Sequence, residues 1–162
     1  DDPHPRRLHH GIAADIQPVT DDEIRNARHG YYANTSYFDS KVGEVVKALK
    51  ESGQYDNTII IITSDHGDML GERGLWYKMN FFEHSARIPL IISGPGVENR
   101  TVGEPVSLLD MLPTFVDIAA LNGADAPDAA MPLDGRSLWP LLRGAVRCLG
   151  NIVPNVQATP FS

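Results

Sequence analysis

A length of 162 residues fits one domain or a piece of a larger one, and 42% hydrophobic with 22% charged residues is ordinary for a soluble globular protein. The net charge of −7 argues against broad binding to nucleic acid or anionic membranes, so an anionic substrate needs a local cation, from a metal or a lysine. The single cysteine, Cys148, excludes an internal disulfide and a multi-cysteine zinc site, and no apolar run approaches the roughly 18 residues of a membrane span.

Residues 1–19 read as an irregular segment, with Pro3, Pro5 and Pro18 and no apolar period. The chain starts without a methionine or a signal-like apolar core. Thr20-Asp21-Asp22-Glu23 has the form of a capping box, a hydroxyl followed three residues later by a carboxylate. Behind it Ile24, Ala27, Tyr31, Thr35, Phe38, Val42, Val45 and Leu49 mark one face of a long amphipathic helix, which Ser52-Gly53 ends. Gly30 and Gly43 weaken that helix slightly.

Asp56-Asn57 turns the chain into Ile59-Ile60-Ile61-Ile62-Thr63, a β-branched run suited to a strand buried on both faces, as in a parallel sheet. The run delivers Ser64-Asp65-His66-Gly67-Asp68 to its carboxyl end, where ligands collect in open α/β sheets. A loop rich in glycine and aromatic residues follows to about Ser85. Ile88-Pro89-Leu90-Ile91-Ile92-Ser93 reads as a second strand, with Pro89 tolerated near its start. A third strand is expected around Val102 to Leu109, then Asp110 as N-cap of a helix from about Met111 to Leu121, with Pro113 in the first turn. Leu138 to Leu142 adds one short apolar segment, and residues 145–162 lack clear periodicity. So few strands make a thin sheet against an average of about five or six, and the apolar strands need neighbours.

Asp65 has two readings: a metal or oxyanion ligand at a strand end, or a local turn residue. His66 is a site residue or a structural histidine bonded to a nearby carbonyl. Lys78, taken alone, is a solvated amine or a compact positive charge for a tetrahedral anion. Asp68 reads as a turn residue, and Glu72, Arg73, Glu83 and Arg87 as loop-fixing partners. Trp76, Phe81 and Phe82 either pack the loop or face a quaternary ammonium.

The run from Asn57 through Asp65-His66-Gly67-Asp68 and Gly71-Glu72-Arg73-Gly74-Leu75-Trp76-Tyr77-Lys78 to Glu83 resembles the sulfatase family, within it the choline sulfatase subgroup. Tyr31 to Asp39 with Val42-Gly43, Ser85-Ala86-Arg87-Ile88-Pro89-Leu90, Asp110-Met111-Leu112-Pro113-Thr114 and Asp134-Gly135-Arg136-Ser137-Leu138 extend the likeness, from about residue 20 to 144. The resemblance implies an α/β fold, part of an alkaline-phosphatase-like sandwich whose central, mostly parallel sheet is flanked by helices. The parse is an N-terminal segment 1–19, a partial catalytic domain 20–144 and a tail 145–162.

The implied activity is hydrolysis of sulfate esters, choline-O-sulfate among them, by a formylglycine nucleophile with a divalent metal, calcium by preference. The strand-end aspartate is a metal ligand in that family, which places the role on Asp65. The next position, His66, ligates metal or touches sulfate, and the lysine that contacts sulfate matches Lys78. His84 stands where choline sulfatases carry a small residue. One departure is large: no Cys/Ser-x-Pro-x-Arg nucleophile sequence is present, and Cys148-Leu149-Gly150 does not fit it. The chain is therefore expected to be the C-terminal portion of a catalytic domain, with the formylglycine and further metal ligands outside it. The implied partner is a small-molecule sulfate ester, without nucleic acid or membrane, in a homo-oligomeric, cytoplasmic or periplasmic enzyme. The alternatives are a phosphodiester or phosphonate monoester hydrolase of the same superfamily, and a noncatalytic relative.

Overall fold

The computed structural model describes residues 3–11, 13, 18–121 and 132–144. In chain order the elements are α1 (Pro3–Gly11), α2 (Asp21–Glu51), β1 (Ile60–Thr63), β2 (Met69–Leu70), β3 (Trp76–Tyr77), α3 (Glu83–Ala86), β4 (Leu90–Ser93), α4 (Met111–Leu121) and α5 (Trp139–Leu142), with 3₁₀ turns at Tyr55–Asn57, Glu72–Gly74 and Leu108–Asp110. They divide into two compact units. The described residues up to Thr58 group with His66–Ala86, and Ile59–Asp65 group with the described residues from Arg87 onward. Among the described residues no helix is long and apolar enough to cross a membrane.

In the first unit, α2 begins where the capping box predicts. Glu23 N donates to Thr20 Oγ1 at 3.3 Å, and Thr20 N donates to Glu23 Oε2 at 2.8 Å. The Thr20 amide first, and then the Thr20 hydroxyl, which donates to Glu23 Oε2 at 2.7 Å, hold the exposed Glu23 carboxyl below the usual range. At the other end Gly53 takes φ 71°, with Gly53 N bonded to Lys50 O at 3.1 Å and Gln54 N to Leu49 O at 3.0 Å. That pair of bonds is a Schellman cap, and glycine meets its left-handed requirement at no steric cost. The predicted apolar stripe is real in spacing but largely uncovered: no residue of α2 is buried, and Phe38 and Val45 are 55% and 61% exposed. Its N-terminal end does have cover, where Ile24 lies against Gly71 and Arg28 reaches the hairpin of β2 and β3.

Two features of this unit depart from expectation. Residues 3–11 form α1 where an irregular segment was expected. Pro3 and Pro5 fall in its first turn, where an amide N–H has no intrahelical partner to lose. The loop after Gly67 contains the antiparallel pair β2 and β3, registered Met69 to Tyr77 and Leu70 to Trp76. Strands of two residues are too short to show an alternating pattern.

In the second unit β1 and β4 pair antiparallel, with Ile60 opposite Ser93, Ile61 opposite Ile92, Ile62 opposite Ile91 and Thr63 opposite Leu90. The isoleucine run had suggested a parallel neighbour and full burial on both faces. The pairing seen is antiparallel and the isoleucines are half-buried. An apolar run reports which faces are covered and not the direction of the partner, and mostly parallel sheets commonly carry an antiparallel strand. Thr63 Oγ1 extends the pairing by donating to Pro89 O at 2.8 Å.

The core beside this pair consists of Val106, Met111 and Leu138, with Ile61, Leu90 and Leu142 against them. The expected third strand over Val102 to Leu109 is not formed. Gly103 and Pro105 interrupt it, the latter without an amide donor, and residues 108–110 wind into a 3₁₀ turn that leads straight into α4. Ser107, not Asp110, is the cap: Leu109 N donates to Ser107 Oγ at 3.3 Å and Ser107 N donates to Asp110 Oδ2 at 2.8 Å. Asp110 is buried, and its other oxygen accepts from Arg136 N at 2.8 Å. Thr114, fully buried, donates to Asp110 O at 2.6 Å and accepts from Leu138 N at 2.8 Å. A Cβ at Gly135 would collide with the Leu109 carbonyl, so only glycine lets the two segments approach this closely. The tail 145–162, with Cys148, lies outside the described residues.

Candidate functional site

β1 is a short, stiff, β-branched strand, and two residues beyond its end stands Asp65, exposed, accepting from Ser64 Oγ at 3.4 Å. His66 follows directly and is half-buried, its Nδ1 2.9 Å from Gly67 O. A carbonyl only accepts, so Nδ1 carries the hydrogen in that contact. In the neutral ring Nε2 is then a lone-pair donor for a metal, and in the protonated ring it is a hydrogen-bond donor for an anion. The contact expected of a structural histidine is thus present, and it fixes which nitrogen carries the hydrogen.

Gly67 is held just as closely. Its N donates to Ser85 O at 2.8 Å, and a Cβ there would run into the His84 carbonyl. No other residue type could hold the backbone of the His66–Gly67 turn this near α3. Asp68 is half-buried. The phenol of Tyr31 is raised above its usual range by burial and, second, by the charge of Asp68.

The hairpin carries the next candidate. Tyr77 ends β3 at φ 64° and Arg73 precedes β3 at φ 56°, both in the left-handed region that residues with a side chain seldom adopt. Lys78 comes directly after and is exposed. Its carbonyl accepts from Ser85 Oγ at 2.9 Å and from Asn80 N at 2.8 Å.

Loop fixation falls to Glu72 and Arg28. Arg28 Nε donates to Leu70 O at 3.0 Å and its Nη2 lies 3.2 Å from Glu72 Oε1, while Leu70 N donates to Glu72 Oε2 at 2.6 Å. Burial opposes the charge on Glu72, yet the amides of Leu70 and Glu72, with His84 and Arg28, hold its carboxyl below the usual range. Arg73 lies over the Phe82 ring at 4.7 Å, and Trp76 is half-buried beside Gly71, so loop packing accounts for both aromatics. Phe81 is different, at 92% exposed.

Among the described residues no group of three or more His, Cys, Asp or Glu side chains is placed to hold a metal ion. The Asp65 carboxylate suits a hard divalent cation, whereas an imidazole nitrogen suits calcium less well than oxygen does. His66 and Lys78 share the first unit, with their neighbouring backbone tied to Ser85; Asp65 belongs to the second. Sequence reasoning marks Gly67 as the glycine of a sharp turn but not as a contact of α3, and it does not single out Ser85. A serine in a four-residue helix carries no periodic signal, and the need for glycine shows only once His84 lies against it.

The family model described as Sulfatase matches residues 3–121. Choline-sulfatase of Rhizobium meliloti (strain 1021) is 46% identical over 148 residues, covering 90% of this chain and 28% of the relative. Arylsulfatase K of Danio rerio is 43% identical over 124 residues, covering 76% of this chain and 23% of the relative. Among solved structures, the phosphonate monoester hydrolase of Agrobacterium radiobacter superposes with a TM-score of 0.69 at 34% identity, covering 78% of this chain and 25% of that one. BT4656 in complex with its substrate D-glucosamine-2-N,6-O-disulfate gives 0.66 at 29% identity, covering 86% and 28%. The chain spans about a quarter of the length of these relatives, 28% and 23%.

Proposed function

This chain belongs to the sulfatase family, and from that premise we propose that it supplies the sulfate-contacting side of a sulfuric ester hydrolase site whose nucleophile lies outside these residues. The observation that carries the reading is the shared anchorage of the His66–Gly67 turn and Lys78 on one short helix, α3. Such an arrangement suits two groups that act on one small anion. In a chain of net charge −7 that local positive charge has to come from fixed groups, and Lys78 offers one from a braced backbone. Its worth is greatest where negative charge develops during transfer.

Asp65 would hold the divalent metal, calcium by preference, through its carboxylate oxygens. When bound, that ion supplies Lewis-acid neutralisation of sulfuryl-oxygen charge. In this reading the residues of this chain orient the substrate: Lys78 supplies a compact ammonium for the sulfuryl oxygens, and His66 is braced through Nδ1 on the neighbouring turn. The preferred substrate is choline-O-sulfate, supported by the 46% identity to a choline-sulfatase; Phe81 provides an exposed aromatic face for a quaternary ammonium. The phosphonate monoester hydrolase neighbour supports a second reading, a phosphonate or phosphodiester substrate at the same site. Turnover by a full-length polypeptide carrying this chain tests both, with choline-O-sulfate, 4-nitrophenyl sulfate and a phenylphosphonate monoester side by side. Faster turnover of the sulfate esters supports the first reading. Faster phosphonate turnover supports the second, and no turnover of any supports a noncatalytic relative.

A further inference from the structure

We propose that Ser85 is a positioning residue that sets Lys78 and His66 in register with each other, an inference that rests on the reading of those two residues given above. Ser85 is 3% exposed, and all three of its polar atoms are engaged. Its hydroxyl donates to Lys78 O at 2.9 Å, its carbonyl accepts from Gly67 N at 2.8 Å, and its amide donates to Phe82 O at 2.9 Å. The first two partners are backbone atoms of, or next to, the two candidate site residues, His66 and Lys78.

On the lysine side, the Lys78 carbonyl is gripped from two directions, by Ser85 Oγ and by Asn80 N at 2.8 Å. The preceding residue, Tyr77, holds φ 64°, a conformation that needs surrounding contacts to persist. Losing the hydroxyl would release the Lys78 peptide from α3 and let the origin of its long side chain drift. On the histidine side the path is equally short. Ser85 O holds Gly67 N, and Gly67 O holds His66 Nδ1 at 2.9 Å. The close approach of the His84 carbonyl to Gly67 leaves that turn little room to move. One buried serine thus couples an ammonium and an imidazole, and displacements of about 1 Å in such groups cost heavily in rate.

The test is a double-mutant cycle in the full-length polypeptide, assayed with 4-nitrophenyl sulfate and choline-O-sulfate, using Ser85→Ala, Lys78→Ala and both together. Ser85→Ala is expected to lower kcat about tenfold with KM nearly unchanged, since misplacement affects the transition state more than ground-state binding. In the Lys78→Ala background the same change should cost less than about twofold, because the group it positions is already gone. A full tenfold loss in both backgrounds, or wild-type kcat for Ser85→Ala, overturns the positioning role while leaving Lys78 in place. Unchanged turnover for Lys78→Ala overturns the reading of the site and this inference with it. If Ser85→Ala does not accumulate as folded protein, Ser85→Cys, close in volume and a weak donor, takes its place in the same cycle with the same criteria.

Discussion

The buried carboxylate of Asp110 accepts a hydrogen bond from the backbone amide of Arg136 at 2.8 Å, joining two stretches that the sequence sets 26 residues apart. Its second oxygen caps the turn at Ser107, and Thr114 adds a parallel link by accepting from Leu138 N at 2.8 Å. Asp110→Ala strands two amides in one step. The expected loss is about 2–6 kcal/mol, from a typical 1–3 kcal/mol for each buried donor left unpaired. Thr114→Val, which keeps the shape, should cost about 1–3 kcal/mol on the same basis. Urea unfolding of full-length variants measures both, and losses below about 0.5 kcal/mol, the scale of an ordinary surface change, would remove these links from the account.

Gly67→Ala should be worse for function than its single methyl suggests. The added Cβ meets the His84 carbonyl, a backbone atom that cannot swing aside as a side chain would. Either the Gly67–Ser85 bond breaks or α3 shifts, and His66 and Lys78 lose their common anchor. Turnover should fall at least about 100-fold, on the scale of losing one electrostatic group. Wild-type turnover would show that the close approach carries no functional weight.

Glu72 gives a pH-dependent signature. Its folded carboxyl titrates below the ordinary 4.5, so the unfolded chain takes up its proton first as pH falls. The stabilisation is therefore fully present above about 4.5 and lost as pH drops through the lower folded value. Glu72→Gln should be less stable than wild type at neutral pH, and the two melting temperatures should converge below pH 4.5. A gap that widens on acidification would contradict the sign.

On its own, the 162-residue chain should self-associate. Tyr37, Phe38 and Val45 of α2 are 66%, 55% and 61% exposed, and a long helix normally hides its apolar stripe against another layer. Light scattering after size exclusion should report oligomers or aggregate. A monomer with a cooperative melt above about 60 °C, high in the usual mesophile range, would argue that the stripe needs no cover.

Much of this was legible from residue order. The capping box at Thr20 and Glu23, the glycine stop at Gly53, the isoleucine strand and its delivery of Asp65 each follow from local chemistry, and each is seen. What escaped the sequence depends on which partner comes from afar. Nothing local in Ile59–Ile62 says that Leu90–Ser93 runs antiparallel to it. Asp110 looks like an N-cap until Ser107 takes that place and Arg136 claims the carboxylate. Met69–Leu70 and Trp76–Tyr77 are too short to announce a hairpin, and α1 starts at prolines that read as breakers. At the site, Asp65, His66 and Lys78 stand out in the sequence by residue type and by likeness to a family. The Gly67–Ser85–Lys78 bracing could not be, because it is made by backbone atoms and one hydroxyl.

In the proposed site Asp65 serves the metal and Lys78 the sulfuryl group. This division of labour is tested most directly by measuring bound metal and kcat on the same preparations of full-length wild type, Asp65→Asn and Lys78→Ala. Asp65→Asn should lose metal and activity together, with partial recovery in added calcium, because the hard cation loses a charged oxygen ligand. Lys78→Ala should keep its metal and lose about 100- to 1000-fold in kcat, the usual cost of removing one preorganised charge. Normal metal content in Asp65→Asn, or wild-type turnover in Lys78→Ala, would contradict the account.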